Sequence, residues 1–142
     1  MLRVRKNTLG LWRARNPYSV RKSWTAVHPT LLIVDDDEYV IKVAKRLLGD
    51  RWDIETARSA AEAARILKVR SFDAILTDYE MPGQNGISLL VDVMRNHPHS
   101  RRVLFSGTAP EDLSAHIHAG VVHCFVPKPT SRTELLASLA ET

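Results

Sequence analysis

The chain has 142 residues and a mass of 16.0 kDa, a length that suits one domain. Its hydrophobic fraction of 44% and charged fraction of 25% are ordinary for a globular protein. No run of 18 apolar residues occurs, and the single cysteine is Cys124, so a membrane-spanning helix and an intrachain disulfide are both excluded. The net charge of +4 is unevenly placed. Residues 1–29 carry seven basic residues and no acid, while the other 113 carry 13 basic and 16 acidic residues, a net of −3.

From residue 30 short apolar runs alternate with helical periods. Thr30 to Val34 reads as a strand covered on both faces. Asp35, Asp36 and Asp37 follow it. Val40, Val43, Ala44 and Leu47 then fall at helical spacing, closed by Gly49. Trp52 to Ala57 is a second strand. Ser59 is placed to cap a helix with the stripe Ala60, Ala63, Ala64 and Leu67. Phe72 to Thr77 is a third strand, ending at Asp78. Met81-Pro82-Gly83-Gln84-Asn85-Gly86 is loop chemistry. Ile87, Leu90, Val91 and Met94 mark a third helix that stops before Pro98.

Arg102 to Phe105 is strand four, and Pro110 suits the first turn of a helix ending at Gly120. Val121 to Val126 is strand five. Ser131 and Glu134 form a capping-box pattern ahead of Leu135, Leu136 and Leu139. Such alternation predicts an α/β fold, a parallel sheet with helices on both faces and right-handed crossovers. Ligands of these folds bind beyond the carboxyl ends of the strands.

The residues at those ends are Asp35 and Asp36, Asp78, Ser106 and Lys128. Carboxylates converging in one cleft repel each other unless a cation offsets them. An all-oxygen, partly hydrated site suits Mg²⁺. A hydroxyl and an ammonium opposite supply donors for a tetrahedral anion. This is the inventory for moving a phosphoryl group onto a carboxylate.

Here the sequence resembles the receiver domains of two-component response regulators. The resemblance is carried by Leu32-Ile33-Val34-Asp35-Asp36, Phe72 to Asp78, Met81 to Gly86, Val103-Leu104-Phe105-Ser106-Gly107, Ala119-Gly120 and Phe125-Val126-Pro127-Lys128-Pro129. Each motif alone is weak; their order and spacing together are specific. The resemblance implies a flavodoxin-like doubly wound sheet of five strands in the order 2-1-3-4-5, with the domain spanning residues 30–142 after a basic extension, 1–29. It implies Asp78 as the phosphoacceptor and Asp36 as a direct Mg²⁺ ligand, with Asp35 assisting through water and the Glu80 backbone carbonyl as a further contact. Lys128 would pair with the phosphoryl oxygens and Ser106 would hydrogen-bond to one of them. Phe125 matches the aromatic that repacks as the switch, and Lys128-Pro129 matches a cis peptide.

The implied partners are a sensor histidine kinase or histidine phosphotransfer protein and a downstream target protein. A homodimer through the helix 4–strand 5–helix 5 face is a further option. The implied location is cytoplasmic. The sequence ends with the fifth helix, so a stand-alone receiver is expected, a signalling domain whose only catalysis is its own phosphorylation and dephosphorylation. Ser106 stands where threonine is commoner, Glu80 puts a long anion near the acceptor, and Pro127 removes a donor from strand five.

Plainer readings sit beside these. Asp37 reads as a helix N-cap. Phe125 serves core packing equally well, and Cys124 reads as a small buried residue. His97, His99, His116, His118 and His123 read as solvated polar residues, since His116 and His118 do not share a helix face. Asp35-x-Asp37 superficially resembles aspartate-nucleophile phosphatases, but Tyr39 fits their signature poorly. A phosphorylation-independent binding module is a further alternative. Trp12, Tyr18 and Trp24 among the basic residues would suit nucleic acid. No DNA-binding fold is visible, so nucleic acid is not favoured, and an unstructured leader or an upstream start codon accounts for the tail as well.

Overall fold

The computed structural model describes residues 27–140. The basic extension expected over 1–29 lies almost wholly outside them. Five strands and five helices alternate: β1 (Thr30–Val34), α1 (Glu38–Leu48), β2 (Asp53–Ala57), α2 (Ala60–Leu67), β3 (Ala74–Thr77), α3 (Gly86–Asn96), β4 (Arg101–Ser106), α4 (Leu113–His118), β5 (Cys124–Pro127) and α5 (Arg132–Leu139). The strands form one parallel sheet in the order β2-β1-β3-β4-β5.

The sheet is covered on both faces because β1 and β3 at its centre are apolar but for Thr30 and Thr77 and are buried almost throughout. Leu32 and Val34 pack with α2 and α3, through Ala60, Ala63, Leu67, Leu89, Leu90 and Val93. Leu31 and Ile33 face the other way, against Ile41, Ala44 and Leu48 of α1 and Leu135 and Leu139 of α5. Each such leucine contributes roughly 2 kcal/mol by leaving water.

Several local expectations shift. The buried stripe of α1 is Ile41, Ala44 and Leu48, with Val40 and Leu47 only flanking it. Gly49 ends that helix with an ordinary helical φ of −64°, not a left-handed one. Ala64 of α2 faces solvent. Leu89 and Val93, not Val91 and Met94, complete the buried face of α3. Trp52 and Phe72 precede their strands, and Phe72 is buried there. Pro110 lies ahead of α4, its carbonyl accepting from Leu113 N–H at 3.1 Å. Val121 and Val122 are buried in the approach to β5 rather than in it. Cys124 is half-buried. Ser59 and Ser131 cap α2 and α5 as expected, each accepting from the N–H three residues on. Glu134 completes only half a capping box, since its carboxylate accepts from the Thr130 hydroxyl.

Candidate functional site

The strand register brings the site together. Val34 pairs with Ala57 on one side and Thr77 on the other, and Thr77 pairs with Leu104. The chain therefore leaves β1 at Asp35 and β3 at Asp78 side by side. Asp78 N–H donates to the Val34 carbonyl at 2.9 Å, and Asp35 N–H to the Ala57 carbonyl at 3.1 Å. Ser106 ends β4 opposite Pro127, and Lys128 N–H donates to its carbonyl at 3.0 Å. Lys128-Pro129 is a cis peptide.

Carboxylate oxygens of Asp35, Asp36 and Asp78 all lie within 4.8 Å of one another. Asp35 is 2% exposed. Its Oδ1 accepts from Asp37 N–H at 2.8 Å and its Oδ2 from Lys128 Nζ at 2.8 Å. Burial pushes its carboxyl above the usual range, opposed by the Lys128 hydrogen bond and the Asp37 N–H and aided by the Asp78 charge. Asp78 Oδ1 accepts from Tyr79 N–H at 2.8 Å, and its Oδ2 lies 3.5 Å from Lys128 Nζ. Asp36 is exposed at the rim, where Arg58 Nη2 donates to its carbonyl at 3.1 Å. Asp37 caps α1, accepting from Tyr39 N–H at 2.9 Å.

Ser106 is buried, and its hydroxyl oxygen accepts from Thr108 N–H at 3.3 Å. Phe125 is half-buried in β5, in register with Leu104 and packed on the core of the α2–α3 face. The Glu80 side chain is exposed. A groove of about 430 Å³ beside Asp78 is lined by Tyr79, Glu80, Met81, Pro82 and Asn85.

Four residues that shape this site carried no role in the sequence. The Phe105 ring lies 5.4 Å from Lys128 Nζ. The buried Thr77 hydroxyl donates to the Asp78 carbonyl at 3.0 Å. Arg58 braces the Asp36 backbone. At Gly86 a Cβ would stand 1.9 Å from the Asp78 carbonyl oxygen, so only glycine permits that approach. The Asn85-Gly86 pair was visible as loop chemistry, but a backbone contact eight residues back leaves no pattern in composition.

The family model for the response regulator receiver domain matches residues 31–140. This chain belongs to that family. Among solved structures, the signal receiver domain of an HD domain-containing protein from Pseudomonas fluorescens superposes with a TM-score of 0.73 at 28% identity, covering 80% of this chain and 92% of that one. A CheY-like receiver from Methanospirillum hungatei, 24% identical with a TM-score of 0.73 over 78% of this chain and 90% of its own, supports the fold. The transcriptional regulator NtrC of Escherichia coli is 32% identical over 74% of this chain and 23% of its own length. The hydrogenase transcriptional regulatory protein HoxA of Bradyrhizobium diazoefficiens is 26% identical over 82% of this chain and 24% of its own. The receiver thus spans about a quarter of those two relatives.

The family assignment makes this the signalling domain of a two-component system, in a family where phosphorylation on aspartate is general and an acidic pocket for Mg²⁺ is typical. The donor set fits that ion: oxygen ligands only, converging from two neighbouring strand ends, with one ammonium against three acids. No helix among the described residues is long and apolar enough to cross a membrane.

Proposed function

We propose that this receiver accepts a phosphoryl group on Asp78 from a sensor histidine kinase or phosphotransfer partner and signals through the β4/β5 face. The observation that carries the reading is the Lys128 ammonium shared between Asp35 and Asp78 inside the acidic cluster. Asp78 Oδ1 is held by the Tyr79 N–H, which leaves Oδ2 as the nucleophilic oxygen. A bond forms from Oδ2 to phosphorus as the phosphorus–nitrogen bond of the donor histidine breaks, and the imidazole leaves with the electron pair. Mg²⁺ held by Asp35, Asp36, Asp78 and the Glu80 carbonyl supplies positive charge against the phosphoryl oxygens when bound.

Lys128 stands 3.5 Å from Asp78 and needs only a small displacement to pair with an incoming phosphoryl oxygen. Ser106 uses its oxygen toward Thr108, so its hydrogen is free to be donated to the acyl phosphate. Drawing that hydroxyl inward shifts the β4 end and the packing around Phe125. The surface of α4, β5 and α5 then serves a downstream protein or a second copy. The domain comprises residues 30–142 and acts in the cytoplasm, and its chemistry is limited to its own phosphorylation and dephosphorylation.

Intact-mass analysis with acetyl phosphate and Mg²⁺ tests the proposal. The wild type gains one phosphoryl group, and Asp78→Asn gains none. An unmodified wild type, under conditions that modify a control receiver, overturns it.

A further inference from the structure

Arg102 of β4 is 4% exposed, and among the described residues it has no carboxylate partner. Its guanidinium is satisfied by main-chain carbonyls from two loops. Nε donates to Val121 at 3.2 Å, Nη1 to Pro98 at 3.2 Å and Ser100 at 2.9 Å, and Nη2 to Gly120 at 2.9 Å. Nη2 also lies 3.3 Å from His123 Nε2, and Arg102 N–H donates to His123 Nδ1 at 2.9 Å. His123 is exposed, as its sequence reading as a solvated residue expects, and its ring also joins this network. Burial pushes the guanidinium below its ordinary value, so the arrangement carries a desolvation cost. A planar fork with five donors on three nitrogens is suited to tying four carbonyls from two loops, whereas an ammonium has three donors on a single nitrogen.

Two of the points it ties, Gly120 and Val121, are the end of α4, and the other two, Pro98 and Ser100, lie in the connection from α3 to β4. Gly120 takes a left-handed φ of +84°, and the N–H groups of Gly120 and Val121 close the helix on Ile117 and His116. Beyond this clamp the helix is held mainly by half-buried Leu113 of its first turn, which packs on the core of the α2–α3 face. None of its residues is buried, and its N-cap Asp112 makes no capping bond, its carboxylate pairing instead with His116. Gly107, Thr108 and Ala109, between Ser106 and the helix, are exposed. One short strand therefore holds Ser106 at its carboxyl end and, four residues earlier, the clamp on the far end of α4.

We infer that Arg102 is a positioning residue that makes the α4–β5 turn the fixed pivot of α4, so that the displacement started at Ser106 moves the β4–α4 loop and the first turn of the helix while residues 119–123 stay in place. This rests on the reading of Asp78 as phosphoacceptor. A lever hinged at one end delivers its largest movement at the other, beside the phosphorylation site.

Hydrogen exchange read by mass spectrometry, on the full chain with beryllofluoride and Mg²⁺ as the stable phosphoryl mimic, tests it. In the wild type, exchange changes on activation across residues 107–115, and the amides of 119–123 do not respond. In Arg102→Met, exchange of 119–123 is at least about tenfold faster before activation, and the response to beryllofluoride spreads into that segment. Arg102→Lys, which keeps the charge without the fork, behaves like Arg102→Met. A wild-type response as large at 119–123 as at 107–115 overturns the pivot. So does either folded variant with wild-type exchange there. If beryllofluoride alters no segment of the wild type and acetyl phosphate leaves its mass unchanged, the reading of Asp78 fails as well, whereas modified mass with a misplaced response sinks the pivot alone.

Discussion

The ammonium of Lys128 donates to the buried carboxylate of Asp35 at 2.8 Å, joining β5 to β1 across 93 residues of sequence. It lies farther, at 3.5 Å, from the Asp78 oxygen. The lysine therefore rests on the acid assigned to Mg²⁺ binding and stands beside the one assigned to catalysis. That resting place stabilises an otherwise unfavourable carboxylate, and on the proposed reading it leaves Asp78 Oδ2 as the attacking oxygen.

Lys128→Met should separate these two duties. It strips the cation from an acid that is 2% exposed, so stability at pH 7 should fall by about 2 kcal/mol, discounted because the lysine itself is part-exposed. Phosphorylation by acetyl phosphate should slow by about 100-fold, since one donor to the developing charge is gone. Urea denaturation and a time course of intact mass read the two effects. An unaltered phosphorylation rate would remove Lys128 from the mechanism.

Asp35 should also leave a pH signature in the metal-free protein. Its carboxyl is raised in the folded state, chiefly by burial, so the native form holds its proton more tightly than the unfolded chain. The stability it contributes is thus fullest at low pH and is lost as pH rises from the ordinary value of 3.8 through the raised folded value. Asp35→Asn removes that loss. In EDTA, the stability of Asp35→Asn relative to wild type should climb with pH to an advantage on the order of 1 kcal/mol at neutrality. A difference that is flat, or that falls, with rising pH contradicts this.

Mg²⁺ should reverse the same penalty. At a concentration about 100 times its Kd it would stabilise the wild type by roughly 2.7 kcal/mol, and EDTA should return the melting temperature to its starting point. Asp36 is the exposed member of the cluster, so Asp36→Asn should fold normally and lose most of this response. A full Mg²⁺ shift in Asp36→Asn would place the ion elsewhere.

Much of this was legible because the chemistry follows the strand ends. Apolar runs located β1, β3 and β4, and the polar residue after each run named Asp35, Asp78 and Ser106. The 2% exposure of Asp35 was not legible, nor was its bond to Lys128, because both depend on how far β5 lies from β1. Helix faces were read about one residue out in α1 and α3, where apolar residues occur on more than one side and the sheet selects among them. Arg102 was invisible as a buried group, since nothing in Arg101-Arg102-Val103 shows which arginine turns inward.

In sequence Gly86 reads as loop chemistry, and its constraint in the fold makes the sharpest test. A Cβ there would meet the Asp78 carbonyl oxygen at 1.9 Å and its carbon at 2.9 Å, both main-chain atoms of the proposed acceptor. They cannot give way without moving Asp78, whose N–H and carbonyl are tied to Val34 and Thr77. Gly86→Ala should therefore cost about 3 kcal/mol and depress phosphorylation in whatever fraction folds. Gly83→Ala is the control. Its φ of +86° strains an alanine, but the space around it is open, so about 1 kcal/mol should be lost and phosphorylation retained. Urea midpoints and acetyl phosphate labelling of both variants decide it, and equal behaviour of the two would mean that conformation, not the contact with Asp78, is what fixes glycine at position 86.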